Sequence, residues 1–92
     1  MNIVEVALKG EVIKDGEYFE CLPIMDVLLE KQLITWDTYH LFISHERSCG
    51  PIPGVMKNGV FNFPFEYDEG TYTLESDMFT TLKSLINFIL NN

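Results

Sequence analysis

The sequence predicts a small α+β domain over residues 1–92, with an antiparallel sheet from two β-hairpins packed against a helical hairpin and a C-terminal amphipathic helix. Three observations predict it. β-Branched residues gather in the first segment around an Asp15-Gly16 turn. Apolar residues recur at helical spacing after Pro23, after Thr35 and after Ser76. Between these helices, Phe61, Phe63, Phe65 and Tyr67 alternate with Val60, Asn62, Pro64 and Glu66, which is strand spacing.

Ile3, Val4, Val6, Val12 and Ile13 read as strand residues, and Asp15-Gly16 suits a type I′ hairpin turn, which needs φ > 0 at both positions. That turn places Lys14 opposite Glu17, Ile13 opposite Tyr18, Val12 opposite Phe19 and Glu11 opposite Glu20. The first pair favours the register by charge and the last opposes it. Gly10 marks a bulge or a break before the hairpin. The alternative for the opening segment is a short helix over residues 2–8.

Pro23 fits the first position of a helix over residues 24–33, where its missing N–H costs nothing. Ile24, Met25, Val27, Leu28, Leu29 and Leu33 cover most of its circumference, leaving Asp26 and Glu30 as a polar stripe. Thr35 caps a second helix from Trp36 to about Glu46, with Trp36, Tyr39 and Ile43 on one face and Leu41 opposite them. The Gly/Pro-rich stretch Cys49–Gly54 then forms a loop. Asn58-Gly59 is a turn, and the Phe61–Tyr67 strand lies at an edge or carries a bulge because Pro64 lacks a donor. Asp68-Glu69-Gly70 forms a hairpin loop to a partner strand, Thr71–Glu75. Ser76 caps the last helix, which runs to about Leu90, with Asp77 near the positive end of its dipole. Met78, Phe79, Leu82, Leu85, Ile86, Ile89 and Leu90 form its stripe, and Phe88 lies about 60° outside it.

A chain of 92 residues makes one domain with a thin core. It carries 14 acidic and 6 basic side chains, a net charge of −8. That balance works against direct binding to nucleic acid or anionic lipid, which calls for clustered Lys and Arg. The charge is uneven: residues 1–30 hold seven acids and two bases, residues 31–60 two and three, residues 61–92 five and one. No secretory signal or membrane-spanning segment is visible, so the expected location is cytoplasmic, with Cys21 and Cys49 as reduced thiols.

Four residues could serve a soft metal: His40, His45, Cys21 and Cys49. On a helix His40 and His45 are five apart and diverge, and the spacings typical of zinc sites are absent, so no metal and no cofactor are expected. Cys49, in its loop, is the better thiol nucleophile, but no activating base adjoins it, and the expectation is a protein that is not an enzyme.

Carboxylates are the most distinctive feature. Glu66, Asp68, Glu69, Glu75 and Asp77 fall within twelve residues with no intervening base, and Tyr67 and Tyr72 flank them. Such a cluster is either a solvated turn or an acidic patch offered to a basic protein, with the tyrosines as anchors. The functional expectation is a small acidic binding protein, monomeric or homodimeric. It would inhibit or neutralise a basic partner by steric and electrostatic block, as a toxin-immunity protein or a phage-encoded inhibitor of a nucleic-acid enzyme does. The partner-binding residues would be Glu66, Tyr67, Asp68, Glu69, Tyr72, Glu75 and Asp77. The alternative is a self-associating structural subunit driven by Phe88, Leu41 and the Pro64 edge strand.

Overall fold

A computed structural model describes residues 2–64 and 74–91 and has the expected α+β class. The chain opens as a helix, α1 (Ile3–Ala7), and not as the strand expected first. The reason is local. The Asn2 side chain accepts the Glu5 N–H at 2.9 Å, while the Glu5 carboxylate accepts the Asn2 N–H at 3.3 Å, a reciprocal cap. This turns Ile3, Val4 and Ala7 into the core. Lys9 (φ 57°) and Gly10 (φ 82°) end the helix, and the Gly10 N–H donates to the Glu5 carbonyl at 2.9 Å. Gly10 therefore closes a helix, where a bulge or strand break was expected.

The first hairpin is not formed either. The Asp15-Gly16 turn exists, with the Glu17 N–H on the Lys14 carbonyl at 3.0 Å, but only Gly16 has positive φ. A type I′ turn needs both, so the chain leaves this turn without the twist that would pair residues 11–14 with 17–20. Instead β1 (Tyr18–Glu20) pairs with β2 (Pro53–Lys57), antiparallel, with Phe19 opposite Gly54. Asp15 Oδ1 accepts the Asn58 N–H at 2.7 Å, which ties the first turn to the second. At that second turn Asn58 (φ 54°) and Gly59 (φ 79°) are both left-handed, and β2 and β3 (Val60–Asn62) form the one hairpin among the described residues. The sheet order is β1-β2-β3. The Gly/Pro stretch contributes Pro53 and Gly54 to β2, so it is not wholly a loop.

Two helices bridge β1 and β2. Helix α2 (Leu22–Glu30) buries Ile24, Met25 and Leu28 and leaves Asp26 and Glu30 exposed. It ends earlier than expected, because Gln32 turns left-handed (φ 61°) and the Leu33 N–H closes on the Leu28 carbonyl at 2.8 Å. Thr35 caps α3 (Trp36–Cys49), its Oγ1 accepting the Thr38 N–H at 3.2 Å. This helix runs on to Gly50 (φ 90°), past the expected end at Glu46. Its buried residue is Phe42, flanked by Tyr39 and Leu41, while Trp36 is 62% exposed, so the core face is rotated from the expected Trp36–Tyr39–Ile43 face. Helix α4 (Leu74–Leu90) starts before Ser76, whose carbonyl accepts the Thr80 hydroxyl at 3.1 Å inside the helix. Ser76 is therefore not the cap, and Leu74 and Glu75 are helical where a strand was expected.

The helices cover one face of the sheet. Phe61 and Phe63 point inward from β3 and the turn after it, edge to face at 5.0 Å and 84°. Phe63 continues onto Phe79 of α4 at 5.1 Å, and Phe79 onto His45 of α3 at 5.0 Å. This aromatic row joins sheet, α4 and α3 at preferred ring geometries. Val60 and Asn62 face outward, as their alternation predicts.

Candidate functional site

Of the sequence-predicted binding residues, Glu66, Tyr67, Asp68, Glu69 and Tyr72 lie outside the described residues, as does the Asp68-Glu69-Gly70 loop. Glu75 and Asp77 lie in the opening turn of α4, and Asp77 is exposed.

A second acidic stretch, which the sequence reading did not single out, is on view. Between Lys14 and Lys31 the chain carries Asp15, Glu17, Glu20, Asp26 and Glu30 and no base, and all five are exposed. The surplus over residues 1–30 was its signal. Three of these carboxylates have defined hydrogen bonds. Asp15 holds the Asn58 N–H, Glu17 accepts the Lys14 N–H at 3.3 Å, and Asp26 accepts the Tyr39 hydroxyl at 2.7 Å. The last contact, with Asp26 accepting from the phenol, raises the Tyr39 pKa above its usual 10.0 and joins α2 to α3. Glu20 stands at the end of β1.

Along β1, Tyr18 and Glu20 are exposed and Phe19 is half-buried. Tyr18, Val55 and Asn62 lie across from one another on the outer face of the sheet, with Tyr18 64% and neighbouring Val60 51% exposed. Pairing of Phe19 with Gly54 and of Cys21 N–H with the Ile52 carbonyl (3.1 Å) fixes which backbone groups of β1 face β2. By antiparallel alternation, those of Tyr18 and Glu20 face away from the sheet. The opposite edge differs. Asn87 of α4 accepts the Phe61 N–H at 2.8 Å and donates to the Phe61 carbonyl at 2.9 Å, closing β3.

The remaining chemistry-bearing residues do not assemble. Because α3 extends through Cys49, His45 and Cys49 share helical i,i+4 spacing instead of falling on helix and loop. His45 nevertheless turns toward Phe79 while Cys49 is exposed. Cys21 is buried against Gly54, and burial, reinforced by the Glu46 charge, pushes its thiol pKa up to about 12 from 9.0, the reverse of an activated nucleophile. Among the described residues no three His, Cys, Asp or Glu side chains converge as metal ligands. Trp36, stacked on Tyr39 at 5.5 Å, borders a shallow 330 Å³ depression along α3 with Asp37, His40, Leu41 and Ser44. Of the features expected to drive self-assembly, Leu41 packs against the core and Asn87 closes β3 at Phe61, while Phe88 is 68% exposed.

Among the described residues no helix is long and apolar enough to cross a membrane. Comparison with protein-family models, with curated proteins and with solved structures finds no match to this chain.

Proposed function

We propose that this protein is a small acidic cytosolic binding protein that inhibits a basic protein partner by occupying its surface. The partner class is a toxin countered by an immunity protein, or a nucleic-acid enzyme blocked by a phage-encoded inhibitor. The observation that carries the reading is the run of five exposed carboxylates from Asp15 to Glu30 with no base among them. Glu66, Asp68, Glu69, Glu75 and Asp77 form a second base-free run with Tyr67 and Tyr72 beside it. Charge of one sign speeds encounter with an oppositely charged surface and rejects partners of like charge. Tyr18, exposed between Glu17 and Glu20, adds the aromatic surface that anchors interfaces. The block is steric and needs no chemistry from this chain.

The test is capture by the tagged protein from nuclease-treated lysate of the source cell or its target host, washed at low and high salt and read by mass spectrometry. The expected result is one dominant basic protein whose retention falls as salt rises. Reversing Glu17, Glu20, Glu66, Asp68 and Glu69 to Lys should abolish that retention. Retention unchanged by those reversals at low salt would sink the proposal.

A further inference from the structure

We propose that the outer edge of β1 is the docking site for an extended, basic segment of the partner, which adds to the sheet through the main chain of Tyr18 and Glu20. This rests on the acidic-inhibitor reading above and states where and how that partner is held.

The first support is the asymmetry of the sheet. Each edge strand leaves main-chain donors and acceptors unpaired by the sheet itself. At β3 the Asn87 amide takes both groups of Phe61. At β1 the ladder toward β2 uses Phe19, with Cys21 N–H on Ile52 and Gly16 N–H on Met56 (2.8 Å) marking its two ends. The N–H and C=O groups of Tyr18 and Glu20 therefore point outward. Among the described residues nothing pairs with them. An arriving strand finds two donors and two acceptors already held in β geometry, the arrangement used when an extended peptide adds to a sheet.

Charge then selects the occupant. Glu17 and Glu20 lie on either side of Tyr18 and Phe19 along this strand, and both are exposed, whereas the Asp15 carboxylate is held by the Asn58 N–H at the other turn. Short charged edges repel most strands; this one repels acidic strands and attracts basic ones. A second copy of this chain is disfavoured by the same argument. Pairing β1 with another β1 would bring Glu17 and Glu20 of both copies onto one ladder without a base, and like charges across a ladder destabilise it. On the outer face the exposed Tyr18 ring beside Val55 offers the incoming strand apolar cover for the stem of a Lys or Arg.

Two synthetic peptides of equal charge test the proposal, one alternating Lys with Val and one of the same sequence with every main-chain nitrogen methylated, the latter unable to extend a ladder. The full chain should bind the unmethylated Lys–Val peptide roughly tenfold more tightly, because only it supplies main-chain donors. Binding should slow hydrogen exchange at the Tyr18 and Glu20 amides. Tyr18→Pro, which deletes an outward donor and no β1–β2 bond, should remove the preference. Glu20→Lys, which keeps every main-chain group, should weaken the Lys–Val peptide. Equal, salt-sensitive binding of both peptides overturns the edge proposal and leaves the acidic-inhibitor reading standing. Binding of neither peptide overturns the edge proposal too, and the lysate capture then decides the broader reading by itself. If circular dichroism shows Tyr18→Pro to be unfolded, exchange at Tyr18 and Glu20 in the unaltered protein decides, and unchanged exchange overturns the proposal.

Discussion

The side-chain amide of Asn87 pairs with the backbone of Phe61 in both directions, accepting its N–H at 2.8 Å and donating to its carbonyl at 2.9 Å. A neighbouring strand would offer β3 the same two bonds, and here one helical residue supplies them. The same Nδ2 also reaches the Lys83 carbonyl at 3.0 Å, one turn back along α4, which fixes the orientation of the amide. The helix thus both covers the inner face of the sheet and closes one of its edges.

Replacing Asn87 should therefore cost more than a surface position would. Asn87→Ala strands the Phe61 N–H and C=O in a part-buried setting, and the expected loss is about 2–3 kcal/mol. Asn87→Asp keeps the acceptor for the N–H but sets a carboxylate against the carbonyl, so it should be at least as damaging. Urea denaturation of the two variants measures both. A loss for Asn87→Ala below about 0.5 kcal/mol would show that water replaces the amide at no real cost.

Gly54 is tight for a different reason. A Cβ there would lie 2.7 Å from Cys21 Sγ, 2.8 Å from Phe61 Cε2 and 3.1 Å from Phe19 Cε2. All three atoms belong to side chains packed in or against the core and cannot retreat without repacking. Gly54→Ala should destabilise by about 1–3 kcal/mol through overpacking. Thermal unfolding followed by circular dichroism gives the value, and a neutral or stabilised variant would show that the core around β2 yields readily.

The β2–β3 turn should be as demanding in backbone terms. Gly59 has φ 79° with nothing within 4 Å of where a Cβ would stand, so space does not limit substitution there. Conformation does, and Gly59→Ala should cost about 1–2 kcal/mol from the left-handed backbone alone. Denaturant midpoints of this variant, compared with those of Gly54→Ala, separate conformational from packing cost. A Gly59→Ala midpoint equal to that of the unaltered protein would contradict the type I′ geometry.

The sequence carried the elements whose signals are local. Thr35 capped the helix it was expected to cap, Asn58-Gly59 made the expected turn, though the β2–β3 hairpin that it joins was not expected, and Phe61 and Phe63 faced inward while Val60 and Asn62 faced out. It misled where two local signals competed. Ile3, Val4 and Val6 favour strands, yet the Asn2–Glu5 cap and the apolar contacts of Ile3, Val4 and Ala7 settle the segment as helix. Asp15-Gly16 has hairpin composition, but Asp15 spends its carboxylate on the Asn58 N–H, and Tyr18–Glu20 finds a partner more than thirty residues away at Pro53–Val55. No local pattern encodes that pairing. The base-free acidic stretch from Asp15 to Glu30 was legible as composition, whereas the place of β1 at the end of the sheet depended on strand order, which only the fold supplies.

The two cysteines give the last prediction. Cys21 is fully buried and its thiol is held up to about 12 by burial and the Glu46 charge, whereas Cys49 is exposed at the end of α3. In the native protein a thiol reagent should label Cys49 quickly and Cys21 only as the chain unfolds. The raised pKa also sets a direction for stability. The neutral thiol suits the folded state, so its contribution is complete below the ordinary value of 9.0 and is lost as pH rises from 9.0 toward about 12. The raised Tyr39 pKa acts in the same sense from its usual 10.0 upward. Urea midpoints taken from neutral to about pH 10 should fall, and Cys21→Ala, though less stable at neutral pH, should show a shallower decline. Equal labelling rates for the two cysteines in the native protein would mean that Cys21 is reached by solvent without unfolding.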